Sequence, residues 1–258
     1  MVSVASMTCM VLAGMLAVLP PVAVAGVLLY KRKIQIRCVL AGALVFFVVQ
    51  VVVRMNVLNL LALLPAWQGF AASHTVLYAL LLSLTAGLVE EWGRYGGYRL
   101  LLKGRGGWWT GFGYGLGHGG FEALFLMGSA TLNNLLLSFA VNTGILDKVA
   151  AGVPAATLSQ IQATLVNTPP AMYLVGGLER VFAVTAHLAL SVLVLRMVER
   201  GRTAGVWLAV GLHTLLNFPP VLLAQAGHTL LSEGYIALCA LTAVWYLWRS
   251  RKAQASPQ

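Results

Sequence analysis

Apolar runs of membrane-crossing length recur along this chain, and they leave few folds open to it. They cover residues 7–30, 36–53, 74–102, 108–127, 171–195, 203–225 and 230–248. A spanning α-helix needs about 20 such residues. Backbone polar groups in lipid must be satisfied internally, so only helices and closed barrels cross a bilayer. A barrel would read as segments of about 10 residues with alternating polarity, and none is present. Of the 258 residues 59% are hydrophobic and 9% charged, against roughly 25% charged in a soluble domain. The expected fold is all-α: a polytopic transmembrane bundle of about seven or eight helices. It forms a single domain over 1–258 with its polar motifs in 74–226.

The net charge of +10 invites a nucleic-acid reading, but its placement argues against one. Most of the 17 basic residues sit in four groups at helix ends. These are Lys31, Arg32, Lys33 and Arg37; Arg99, Lys103 and Arg105; Arg196, Arg200 and Arg202; and Arg249, Arg251 and Lys252. Such clustering sets topology by the positive-inside rule. Seven crossings put all four groups in the cytoplasm, with the N-terminus outside and the C-terminus inside. The expected location is a prokaryotic cell membrane, with the lipid bilayer as partner and no nucleic acid. Cys9, Cys38 and Cys239 lack metal spacing and read as small hydrophobes.

The first run carries Ala23-Val24-Ala25, which looks like a signal-peptidase site. Its basic flank follows the apolar stretch, however, so an uncleaved helix is the better reading. Pro20-Pro21 should kink or break it. Residues 54–73 read as a mixed linker with an interfacial piece. Gly107, Gly111, Gly115 and Gly119 form a glycine face that lets another backbone approach. Its expected role is to bring that helix against the one bearing Glu90. Residues 128–170, with several Asn and Gln and Pro169-Pro170, read as a re-entrant or lid-like region.

The chain has seven acids and five histidines. Glu90, Glu91, Glu122, Glu179, His118, His187 and His213 all fall inside apolar segments. Ionisable groups at membrane depth are costly and usually functional. His118 with Glu122, His213 with Asn217, and Glu90 with Arg94 are i, i+4 pairs that share a helix face. Glu179 and His187, eight apart, lie near one face. A single polar cavity shared by four helices accounts for all of them. Taken singly, a histidine in a helix is more often a packing residue, and Glu179 could simply pair with Arg180. A glutamate can serve as general base toward water, and His or Asn can donate to a developing oxyanion. A metal route would use His118, His187 and His213 with Glu122. A His-Glu-x-x-His motif is absent, as is Gly-x-Ser-x-Gly.

These pieces resemble the YhfC family of intramembrane proteases, relatives of the CAAX prenyl endopeptidases, the bacterial CPBP proteins and PrsW-type proteases. The matching stretches are Glu90-Glu91-x-x-Arg94-Tyr95, His118-Gly119-Gly120-Phe121-Glu122, Glu179-Arg180-x-x-Ala183-x-x-x-His187 and His213-x-x-x-Asn217. Tyr114 stands where the CAAX pattern has phenylalanine, and Arg94 is one residue closer to the glutamate pair. The resemblance implies that Glu90 activates water while Glu91 orients. It implies that His118 and His213 position water or stabilise charge, and that Asn217 supports the oxyanion. Glu122, Glu179 and His187 look peculiar to the YhfC branch.

The expected function is an intramembrane endopeptidase. Its substrate would be a membrane protein or a membrane-proximal peptide. The favoured mechanism is a glutamate base with no cofactor required; the alternative is a zinc-dependent protease. Two other classes use the same residues: a proton- or ion-coupled transporter, which would show inverted repeats, and a non-catalytic scaffold.

Overall fold

The computed structural model describes residues 1–255. The elements are α1 (Val4–Tyr30), α2 (Ile36–Phe46) continued by a π-helical segment (Phe47–Met55), α3 (Asn56–Leu61), α4 (Pro65–Ser73), α5 (Thr75–Leu100), α6 (Trp108–Ala123) continued by a second π segment (Leu124–Gly128), α7 (Ser129–Thr143), α8 (Leu146–Val149), α9 (Ala155–Asn167), α10 (Pro170–Glu199), α11 (Ala204–Gln225) and α12 (Thr229–Ala255). No strand occurs among the described residues. Seven helices are long and apolar enough to span a membrane. The chain is an all-α integral membrane protein.

Helix boundaries differ from the sequence reading in three places. Residues 108–143 form one unbroken span, so α7 continues α6 rather than belonging to a re-entrant stretch. The polar Asn133 and Asn134 that suggested a loop are carried on this helix. The second span reaches Leu61 and includes Arg54. The guanidinium of Arg54 donates to the Leu82 carbonyl at 2.6 Å and the Thr85 hydroxyl at 3.3 Å on α5, which lets the charge sit inside an apolar helix. Helix α1 runs unbroken through Pro20 and Pro21.

The chain groups into two compact units. One comprises residues 1–21 and 123–181. Its core holds Val2, Met10 and Leu165, with Leu135, Val141 and Tyr173 packed around them. The Asn142 amide accepts from the Val2 backbone N–H at 2.7 Å and donates to the Val2 carbonyl at 3.0 Å. Gly144, at φ 71°, closes α7 in the left-handed conformation that glycine adopts without a Cβ penalty.

The other unit comprises residues 22–122 and 182–258. Glycines set its helix spacing. A Cβ at Gly115 would lie 2.8 Å from the Leu188 Cα, and one at Gly119 3.0 Å from the His187 Cβ. Gly111, Gly115 and Gly119 of the glycine face therefore pack on α10, not on α5 as the spacing had suggested, while Gly107 precedes α6 and faces Gln254 of α12. On the other side of α6, a Cβ at Gly117 would collide with the Val39 carbonyl, and one at Gly42 with the Tyr114 carbonyl. Gly87 brings α5 against α11, its hypothetical Cβ being 2.9 Å from the Val210 carbonyl. At the basic end, the first N–H groups of α6 have no intrahelical partner. Gly107 N–H donates to Glu199 at 2.6 Å, and Trp108 N–H donates to Gln254 at 2.8 Å. Glu199 also complements the positive end of the helix dipole.

Candidate active site

The second unit collects acids, histidines and an arginine from α5, α6, α10 and α11. Glu90, Glu91, Arg94, His118, His187 and His213 are all buried to 3% exposure or less. Burying charge at this density is tolerable only where each charge is paired and hydrogen-bonded.

Glu91 is the most committed of the acids. One Arg94 amino group donates to both its oxygens at 2.7 Å, and His213 Nδ1 donates to Oε1 at 2.7 Å. With Nδ1 protonated, a neutral His213 has its lone pair on Nε2, which is 3.9 Å from Glu90 Oε2. The other amino group of Arg94 lies 3.1 Å from His187 Nδ1. Arginine can only donate, so His187 Nδ1 accepts. The proton of the neutral ring is then on Nε2, which lies 2.6 Å from Glu122 Oε2. Helix α5 thus fixes His213 through Glu91 and His187 through Arg94.

Glu90 is engaged differently. Its Oε2 is 3.0 Å from His118 Nε2. His118 is fully buried, with Phe46 edge-on at 5.2 Å. Its Nδ1 has no hydrogen-bond partner among the described residues. The rings of His118, His187 and His213 follow one another at 5.1 and 5.3 Å.

Four ligand atoms, one each from Glu90, His118, Glu122 and His187, lie within 4.8 Å of one another. Bonds to zinc of about 2.0–2.2 Å would need these atoms to draw only slightly closer together. Two imidazoles and two carboxylates suit a borderline divalent ion. The His118–Glu90 and His187–Glu122 contacts each need a bridging proton, and a cation between the pairs would replace those protons. The donor set fits a metal.

Sequence reasoning had grouped His118, His187 and His213 with Glu122 as metal ligands. The convergent set keeps His118, His187 and Glu122 and adds Glu90, while His213 is tied to Glu91. Glu179 belongs to the first unit and pairs with its neighbour Arg180. Asn217 lies one turn beyond His213 on α11, half-buried. The packing of Phe46 on His118 had no sequence signal, since one phenylalanine in an apolar run looks like any other. A separate cavity of about 500 Å³ opens between α10, α11 and α12, lined by Leu190, Leu193, Leu212, Tyr235 and Trp245 among others. It has no acid or histidine in its lining, so the chemistry is not there.

Residues 16–239 match the family model described as YhfC intramembrane metalloprotease. The chain is 30% identical over 257 residues to the membrane protein YhfC of Bacillus subtilis (strain 168), covering 98% of this chain and 99% of that one. No solved structure matches. The family description and the donor set together favour a metal. The metal-free reading preferred from sequence is therefore not supported.

Proposed function

The chain belongs to the YhfC intramembrane metalloprotease family, and on that premise we propose that it is a metal-dependent endopeptidase cleaving a peptide bond within or near the bilayer. The observation that carries this reading is the convergence of Glu90, His118, Glu122 and His187 inside a membrane-spanning bundle. When bound, a divalent ion would polarise the scissile carbonyl and make water a better nucleophile at neutral pH.

His118, Glu122 and His187 would hold the ion, matching the two-histidine, one-glutamate set of many catalytic zinc sites. That leaves Glu90 as general base. Its Oε2 borders both His118 and His213, so a proton taken from water can be kept there or passed to His213 Nε2. From there it can reach the leaving amine. Glu91 is unsuited to that task, because Arg94 and His213 already occupy its oxygens. We assign Glu91 and Arg94 to positioning: they orient His213 and His187. We assign the Asn217 amide, one turn from His213 on α11, to donate to the developing oxyanion.

The test is cleavage of a transmembrane peptide by protein reconstituted in liposomes, before and after chelation. Activity should vanish on chelation and return with zinc. Glu90→Gln should lower it by about 10²–10⁴-fold, the usual scale of general acid–base catalysis, while keeping the bound metal. Full activity in the chelated protein would overturn the metal assignment, and full activity of Glu90→Gln would overturn the base assignment.

A further inference from the structure

Beneath the acid–histidine cluster lies a second polar layer that the proposed chemistry does not use. Arg94 Nε, Tyr114 Oη and Ser191 Oγ are buried and have no hydrogen-bond partner among the described residues. Each of the three residues is 0% exposed. Few buried polar groups in folded proteins go unpaired, and those without a protein partner usually bind ordered water.

Helix register puts these three residues in one layer of the bundle. Tyr114 precedes His118 by four residues on α6, and Ser191 follows His187 by four on α10. Since α6 and α10 run in opposite directions, both steps lead toward the basic end of the bundle. On α5 the same step runs from Arg94 to Tyr98. The Tyr98 hydroxyl donates to the Ser191 carbonyl at 2.9 Å, and the Tyr98 and Tyr114 rings lie 4.5 Å apart. Arg94 and Tyr114 are close enough to interact electrostatically.

Glycines make the room. A Cβ at Gly97 would lie 2.7 Å from Tyr114 Oη, and one at Gly115 3.1 Å from Ser191 Oγ. The packing thus admits two hydroxyls where apolar side chains would have filled the layer. Tyr114 could have been Phe and Ser191 Ala with no loss of van der Waals contact. Their hydroxyls raise the cost of burial unless something answers them.

We infer that Arg94 Nε, Tyr114 Oη and Ser191 Oγ form a buried water-binding site one helical turn from the acid–histidine cluster, on its basic side. Arg94 Nε–H donates to the water. The two hydroxyls can each donate or accept, so together they meet the roughly three hydrogen bonds a buried water makes. Arg94 links this layer to Glu91 and His187. The site therefore offers a reservoir of water to a cluster that lipid would otherwise keep dry. That last role rests on the hydrolytic reading above; the hydration itself does not.

The experiment is hydroxyl-radical footprinting by synchrotron radiolysis, read by mass spectrometry, on the full chain in detergent. Radicals formed from bound water label adjacent side chains even where bulk solvent is excluded. Met10 is the reference: it is 1% exposed and intrinsically easy to oxidise. Tyr114 should be labelled faster than Met10, and Ser191→Val should cut the Tyr114 rate severalfold. Ser191→Ala, a smaller change, should lower it in the same direction if the valine variant does not fold. Tyr114 labelling no faster than Met10, or unchanged in a folded Ser191 variant, would overturn the site. Repeating the measurement on Glu90→Gln separates the two claims. Undiminished Tyr114 labelling in that variant supports the water site whether or not the chain hydrolyses peptides.

Discussion

Arg94 is where one residue holds most of the arrangement. Its guanidinium is fully buried and bridges Glu91 to His187. Removing one partner of a buried ion pair costs about 3–5 kcal/mol, because the remaining charge is left unmatched. Arg94→Ala should therefore lower the thermal midpoint in detergent sharply, and Arg94→Lys should recover only part of the loss. A lysine keeps the charge but lacks the planar fork that serves two acceptors at once. An unchanged midpoint in Arg94→Ala would show that Glu91 does not depend on it. The residues of this cluster were legible in the sequence because charge inside an apolar run is expensive and stands out. Their division of labour was not: Glu90 and Glu91 are adjacent and chemically identical. Only the contacts of Arg94 and His213 separate a committed carboxylate from an available one.

At the scale of elements, the glycine face of α6 brings His118 and Glu122 against His187. Gly119 sits one residue from His118, and its missing side chain leaves 3.0 Å to the His187 Cβ. Overpacking a tight contact costs about 1–3 kcal/mol and shifts the backbone. Gly119→Val should push α10 away from α6. It should reduce metal retained through purification more than it reduces helicity by circular dichroism. Equal metal content in wild type and variant would count against α6–α10 spacing as the device that gathers the ligands. The glycine spacing announced a close helix contact without naming the partner, because a face without side chains holds no information about what meets it. The continuation of α6 into α7 was hidden for a related reason. Asn133 and Asn134 lower local hydropathy, and hydropathy was the signal being read.

At the scale of the whole chain, we expect the seven spans found among the described residues to alternate direction, with the four basic groups at helix ends of one side. We expect that side to be cytoplasmic, with the N-terminus outside. Single cysteines placed at Gly104, Gly201 and Ser3 in a cysteine-free background test this with a membrane-impermeant thiol reagent on intact cells. Only the cysteine at position 3 should be labelled before lysis. Labelling at 104 or 201 in intact cells would invert the topology. The fold class and the number of crossings were legible because segment length and apolarity bear directly on crossing a bilayer. The division into two compact units was not, since its boundaries fall inside continuous helices α1, α6 and α10.

The central claim is that His118, Glu122 and His187, from two helices, bind one divalent ion with Glu90 of a third helix beside it. Anomalous diffraction at the zinc edge, from crystals of protein loaded with zinc, tests it most directly. The expected result is one strong peak in contact with His118, Glu122 and His187, with Glu90 beside it. A cluster that retains its carboxylate–imidazole contacts with no peak between them would contradict the account, and the glutamate-base mechanism would take its place.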